Sequence, residues 1–394
     1  MIGENGAGKS NILEALVLAS AASKGNLNRE LLVARGVRVS QPELMKSAFK
    51  VSKKPIAISL SYDGTNGLLE KLDFTLSHSG EPYADWQLEK VEIPKIAKSV
   101  LDMLSKLPED IQKNEVDAAQ TELTNILSEL PDLGAANLSA AQSKKLVTDA
   151  LSKLGQIKSH ILSMMVANQG EKQSIERFTV YSPEYSRLRN FDGEGQTAPL
   201  GTKGEGLISL LSSMKKNEPD RLKVVSEGLK ILGWFKSLDL STLNLSDAES
   251  RLQVKDKFIR QRGVFLDQTS MNEGFLFCLF YLVLFASSKT PRAFAIENIE
   301  NGLNPKLCQA LMMKLKELAV AYDKQAIFST HSPAVLDALD LNQDNDLLLA
   351  VDRTLDGHTR IQQVKKPANM TSKITRLSEA FLMGHLGGVP KNFV

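Results

Sequence analysis

Cysteine is scarce in this sequence, with 2 among 394 residues, and that scarcity excludes a disulfide scaffold. Both thiols, Cys278 and Cys308, lie in apolar stretches, so buried free thiols and a reducing, cytoplasmic setting are expected. With 14 prolines and 25 glycines the chain is neither collagen-like nor dominated by linkers. An excess of charge is also lacking: 48 Lys and Arg stand against 46 Asp and Glu, a net charge of +2. That balance gives no bulk attraction to nucleic acid and leaves only a local basic patch as a route to it. No apolar run reaches the roughly 20 residues that cross a bilayer. The longest, FLFCLFYLVLFA from Phe275 to Ala286, reads as a fully buried core helix, and no membrane association is expected. The opening residues lack the basic and apolar regions of a signal peptide. The five histidines show no H-x-x-x-H spacing and the cysteines no C-x-x-C spacing, so a structural zinc site is not expected. Neither a G-x-S-x-G nucleophile elbow nor an acidic cluster of nuclease type is found.

What is present is an ordinary globular composition, 42% hydrophobic and 24% charged, in a chain long enough for one large domain or roughly two to three small ones. Its first ten residues carry chemistry. Gly3-Glu4-Asn5-Gly6-Ala7-Gly8-Lys9-Ser10 matches the phosphate-binding loop G-x-x-x-x-G-K-[ST]. The glycines let backbone N–H groups converge on phosphate oxygens. Lys9 reaches the β- and γ-phosphates, and the Ser10 hydroxyl holds Mg²⁺. Asn11 and the residues after it have apolar positions at helical spacing, which sets a helix N-terminus against the nucleotide. Only Met1 and Ile2 precede Gly3. That is too few for the usual strand and its antiparallel neighbours, so an upstream truncation or a misplaced start is expected, with weak ATP binding as its consequence.

A second constellation lies near the other end. Pro291-Arg292-Ala293-Phe294-Ala295-Ile296-Glu297 reads as a turn feeding a short buried strand that ends on a carboxylate, the arrangement that sets an acid beside Mg²⁺ in a dry site. It continues as Asn298-Ile299-Glu300-Asn301-Gly302-Leu303-Asn304-Pro305. A helix-length stretch from Lys306 to Ala321 leads to Gln325-Ala326-Ile327-Phe328-Ser329-Thr330-His331-Ser332-Pro333, which reads as a second short strand ending on a histidine. Strand, helix and strand in this order predict a parallel βαβ unit.

The succession of phosphate loop, strand-Glu-x-x-Glu-Asn-Gly-Leu-x-Pro and strand-Ser-Thr-His-Ser-Pro resembles the ABC-type soluble ATPases of the SMC, RecF and OLD-like branch. The resemblance covers Gly3 to about Leu18, about Thr179 to Leu211, and Asp267 to about Leu339. It implies an α/β P-loop NTPase head with a mixed sheet, an antiparallel side sheet and an inserted helical subdomain. By the same resemblance, Glu297 takes the Mg²⁺ position and His331 contacts the γ-phosphate. Met271-Asn272-Glu273-Gly274-Phe275 stands where the family's signature loop closes on the ATP of a second subunit, with Asn272 in place of serine and Gly274 beside it. The alternative for that loop is a helix N-cap, Ser270 or Asn272, ahead of a core helix. Gln41, in Ser40-Gln41-Pro42, matches the Q-loop that would contact Mg²⁺ or the lytic water; the alternative is a polar surface turn. The departure that matters most is Asn298, where the family carries a second carboxylate. Asparagine can orient a water but cannot take its proton, so turnover is expected to be slow, absent, or dependent on another acid such as Glu300.

The resemblance further implies a homodimer, or a higher homo-oligomer, closed head-to-tail around ATP. Its setting would be DNA repair or antiphage defence, with an effector nuclease on a partner chain and DNA as a possible ligand. A non-hydrolysing ATP-dependent scaffold is the competing reading, and a transporter subunit fits poorly because Leu-Ser-Gly-Gly-Gln is missing. Residues 1–94 read as the first part of the head and 176–394 as the second. Between them, 95–175 is rich in Ala, Leu, Lys, Ser and Gln without aromatics, which predicts an inserted helical hairpin or lid. If the loop is functional, Lys9→Ala abolishes steady-state ATP turnover of the purified protein. Turnover that survives the substitution would assign it to a contaminant or to another site.

Overall fold

The computed structural model describes residues 1–23, 26–38, 45, 55–63, 69–80, 84–92, 177–189, 199–240, 252–261, 263–267, 269–343, 345–365 and 376–387. Gln41 and the expected helical insert 95–175 lie outside the described residues. The chain divides into two compact units, one of Met1–Ile56, Leu76–Glu89 and Ser174–Val394, the other of Ala57–Thr75 and Lys90–Gln173. Strands β2 (Ile56–Asp63), β3 (Leu69–Ser77) and β4 (Gln87–Glu92) form a three-stranded sheet in that order.

The first unit is built on a mixed sheet whose centre is unusually short. Strand β1 is Ile2–Gly3. It pairs in parallel with β11 (Leu348–Arg353), through Ile2 with Ala350 and Gly3 with Val351. On its other side the Met1 backbone nitrogen donates to the Phe328 carbonyl at 2.5 Å, and Thr330 N–H donates to the Met1 carbonyl at 3.1 Å. That alternation is the signature of a parallel ladder. It joins β1 to β10 (Gln325–Phe328), which pairs in parallel with β9 (Ala293–Ile296), itself parallel to β5 (Val180–Tyr181). The order is therefore β5-β9-β10-β1-β11, closed by β12 (Thr359–Val364), antiparallel to β11. All five parallel strands present their carboxyl ends along one edge, where ligands bind in sheets of this kind.

Helices follow the expected patterns. Helix α1 (Lys9–Ser23) starts inside the phosphate loop, and the short α2 (Arg29–Ala34) and α3 (Tyr185–Arg189) follow it. Helices α4 (Leu207–Asn217) and α5 (Pro219–Gly228) follow one another before Leu232. Helix α6 (Glu273–Ala286) has every residue from Phe275 onward buried, so it is encased rather than amphipathic. Helix α7 (Pro305–Ala321) buries Cys308, Leu311, Met312, Leu315 and Leu318, a stripe at helical spacing. Its start combines Pro305 with a cap, Asn304 Oδ1 accepting from Leu307 N–H at 3.0 Å. Helices α8 (Pro333–Leu336) and α9 (Leu377–Leu382) lie toward the end of the described residues. An antiparallel sheet of β6 (Phe235–Asp239), β7 (Gln253–Asp256) and β8 (Leu266–Asp267) pairs Leu238 with Val254 and carries a bulge between Phe235 and Ser237.

Two apolar clusters lie among the described residues of this unit. The larger wraps α6 and includes Tyr181, Leu211, Phe294, Ile296 and Leu311; the smaller gathers Ile2, Leu336, Leu348, Ala350 and Leu377 under β1 and β11. Phe280 is fully buried, with edge-on contacts to Tyr181 (5.9 Å) and Tyr281 (5.6 Å). Among the described residues no helix is long and apolar enough to cross a membrane. Phe280→Ala is expected to destabilise the folded unit by about 3–5 kcal/mol, the range for truncating a buried aromatic. Urea denaturation measures it, and a loss under about 1 kcal/mol would mean that α6 is not the centre of the core.

Candidate nucleotide site

The phosphate loop leaves β1 at Gly3, and the sheet dictates that residue type. A Cβ at Gly3 would stand 2.3 Å from the Val351 carbonyl oxygen of the paired strand. Gly8 has φ +106°, and a Cβ there would stand 2.3 Å from Thr359 Oγ1. The same hydroxyl donates to the Ala7 carbonyl at 2.9 Å, so β12 pins the tip of the loop from behind. Within the loop, Ala7 N–H donates to the Glu4 carbonyl (3.2 Å) and Ile12 N–H to the Gly8 carbonyl (3.1 Å), which begins α1. Asn5 and Gly6 are exposed at the tip and Ser10 is half-buried. Lys9 is buried, and its Nζ donates to the carbonyls of Gly3 (2.8 Å) and Glu4 (3.0 Å).

The acid and histidine loops meet beside this one. Strand β9 is wholly buried and delivers Glu297, whose N–H donates to the Tyr181 carbonyl at 2.9 Å. Asn298 follows in the left-handed region, φ +49°. Its N–H donates to Ser329 Oγ (3.1 Å), and Ile299 N–H donates to the Ser329 carbonyl (3.3 Å). Glu300 closes the arrangement, its Oε1 accepting from the His331 N–H at 2.7 Å. Burial lowers the Lys9 ammonium below the ordinary lysine range, and the carboxylates of Glu300 and Glu297 pull it partly back. Burial also lowers the His331 imidazole, Lys9 lowers it further and Glu300 opposes both. Lys9 thus lies within electrostatic reach of Glu297, Glu300 and His331, so four positions singled out from sequence gather around it.

The signature segment takes its alternative form in local structure. Asn272 Oδ1 accepts from Phe275 N–H at 2.8 Å and caps α6, while Ser270 turns to Asp267. The cap uses the amide oxygen alone and Asn272 remains exposed. Gly274 packs on the loop after Glu300: a Cβ there would stand 3.4 Å from the Gly302 carbonyl oxygen. Gly302, at φ +68°, abuts Glu273 and Phe277 at 2.7 Å by the same measure. The loop Leu200–Gly206 is a connection, bonded to Ser182 and Glu184 through the carbonyls of Thr202 and Lys203.

Two residues escaped the sequence reading. Thr359 carried no signal, because its role depends on a strand pairing more than three hundred residues away. Arg38 carried a faint one, a cation just ahead of the Gln41 turn. Its guanidinium pairs with Glu14 on α1 (2.7 Å) and reaches Asn11 Oδ1 (3.4 Å). The Glu14 hydrogen bond raises it above the ordinary arginine range, and Glu297 contributes in the same direction.

A phosphate loop after β1, an acid after β9 and a histidine after β10, the strand between them, form the arrangement of a P-loop nucleotide-binding site. The chain belongs to the family described as "AAA domain, putative AbiEii toxin, Type IV TA system", which matches residues 1–337. No curated protein matches it. Among solved structures it is similar to the SMC head bound to the C-winged helix domain of ScpA, at 14% identity over 93% of this chain and 90% of that one, with a TM-score of 0.46. It is also similar to the Smc head with an extended coiled coil from Pyrococcus furiosus, bound to the C-terminal domain of ScpA, at 13% identity over 97% and 91% with a TM-score of 0.41. A third is the SMC head domain from Thermotoga maritima, at 12% identity over 92% and 89% with a TM-score of 0.40.

The convergence makes a titration prediction. The His331 midpoint, followed by NMR, is expected below the ordinary 6.5. Glu300→Gln removes a charge that favours the imidazolium, so the midpoint falls further. A rise on that substitution would place Glu300 away from the histidine.

Proposed function

We propose that this protein is an ATP-gated switch, turning over slowly, that closes head-to-tail on a second copy of itself and controls a partner effector such as a nuclease in antiphage defence or DNA repair. The observation that carries the reading is the meeting of Lys9, Glu297, Glu300 and His331 at the carboxyl edge of the sheet, with Asn298 where a second carboxylate is expected. ATP supplies the phosphates and Mg²⁺ the positive charge that neutralises them. The residues fit both: Gly6, Gly8 and the start of α1 offer backbone N–H groups, Lys9 a buried ammonium, and Ser10 with Glu297 the oxygen donors that magnesium prefers.

Asn298 suits a switch more than a fast enzyme. It can hold a water by its amide but has no basic site. The remaining acid is Glu300, whose Oε1 lies against the backbone of the histidine loop. A slow base fits a clamp whose ATP bridges two subunits. The exposed signature residues Asn272 and Glu273, beside exposed Asn301 and Gly302, give such closure a surface. The family's description as a toxin of an abortive-infection type favours the defence setting over repair. The non-hydrolysing scaffold is the second reading, favoured by Asn298 itself.

Two substitutions at one position separate the roles of Glu300. Glu300→Gln keeps an oxygen for the His331 N–H but cannot accept a proton; Glu300→Ala removes both functions. A general base loses about 100-fold in turnover in either variant. A loss confined to the alanine variant reassigns Glu300 to holding the histidine loop, and wild-type turnover in both removes it from the mechanism.

A further inference from the structure

Among the described residues two buried side-chain atoms lack a hydrogen-bond partner, Tyr281 Oη and Glu300 Oε2. Buried polar groups in native proteins are nearly always paired, because an orphan forfeits its hydration with nothing in return. Two orphans of complementary chemistry, a hydroxyl donor and a carboxylate acceptor, therefore call for a common explanation. They share a neighbourhood. Tyr281 is fully buried on α6. Its ring stacks on Phe277 (6.2 Å, 19°). Phe277 in turn packs on Gly302, two residues beyond Glu300. Glu300 is also among the groups that raise the Tyr281 hydroxyl above its ordinary range, after burial and Cys278. Cys278 and Cys308 are the other titratable groups facing this hydroxyl, and burial raises both thiols, so neither competes as an anion.

We propose that Tyr281 is a positioning residue for the nucleotide site, its hydroxyl donating to one enclosed water that in turn donates to Glu300 Oε2. Glu300 is then held on both sides. The His331 N–H fixes Oε1 and the tyrosine fixes Oε2, so the carboxylate keeps one orientation toward the phosphate edge. The contact also ties α6, which begins at the signature loop, to the acid and histidine loops of the same chain. Binding at Asn272 and Gly274 would reach Glu300 through two turns of a fully buried helix. This proposal rests on the reading of Glu300 as a working residue of the ATP site.

The test compares wild type, Tyr281→Phe, Glu300→Ala and the double variant, by thermal midpoint and by ATP turnover. If the hydroxyl serves Glu300, Tyr281→Phe lowers the midpoint in the wild-type background and leaves it unchanged or higher in the Glu300→Ala background. It also lowers kcat about tenfold, the worth of one hydrogen bond to a charged group, with KM for ATP unchanged. A midpoint raised by Tyr281→Phe in both backgrounds marks the hydroxyl as a true orphan and overturns the proposal. Wild-type kcat in Tyr281→Phe overturns it equally. Failure of the underlying reading shows elsewhere: Glu300→Ala then turns over ATP like wild type, and no positioning role is left. Should wild type itself show no turnover, the midpoints alone decide whether the contact exists.

Discussion

Everything at the phosphate edge hangs on two residues of strand. Ile2 and Gly3 pair with β11, and Met1 just before them bonds to the end of β10 on the other side. The strand is short, but it is held by more than its own hydrogen bonds. Ile2 is fully buried in a core with Leu336, Leu348 and Ala350, and burying such a side chain contributes about 1.5–3 kcal/mol. The absence of a Cβ at Gly3 lets the strand approach the Val351 carbonyl closely enough to pair. Without that seat the phosphate loop would have no fixed root. Its backbone N–H groups would have to be ordered anew at each binding event, at an entropic cost per residue of about 1–2 kcal/mol.

The rest of the site is arranged so that three loops constrain each other. Thr359 holds the Ala7 carbonyl from the edge strand. Ser329 receives the Asn298 N–H on its hydroxyl and the Ile299 N–H on its carbonyl. Glu300 takes the His331 N–H. Each bond crosses from one strand's end to a neighbour's, so acid, histidine and lysine cannot shift independently. The charges are balanced in the same way. The buried Lys9 ammonium would be expensive alone, and two nearby carboxylates together with two backbone carbonyls offset its burial.

Much of this was legible in the sequence because it depends on local pattern. The phosphate loop, the Ala293–Ile296 strand, the Pro305–Ala321 helix and the encased α6 each announce themselves within about ten to twenty residues, by spacing or by unbroken apolarity. What escaped depends on tertiary pairing. Two residues carry no strand pattern of their own, so β1 could be found only from β10 and β11. Strand β6 (Phe235–Asp239) shows no clean alternation because its register shifts between Phe235 and Ser237. Thr359 and Arg38 act on groups far away in the chain or around a turn. Whether Asn272 caps a helix or reads a phosphate was undecidable from residue type, since the same amide chemistry serves both.

Asn298 shows how one residue can answer two demands. The chain must turn out of the buried β9 and reach Ser329 with its N–H, and it does so at φ +49°. Among residues with a side chain, asparagine is one of the few that enters this region readily; most pay about 1–2 kcal/mol. A carboxylate of longer reach would face that strain and also stand near Glu297 and Glu300, adding a third negative charge to a site that holds one buried lysine. Backbone conformation and electrostatics therefore both favour the amide over an acid here. The geometry that fixes the loop thus leaves position 298 without a carboxylate.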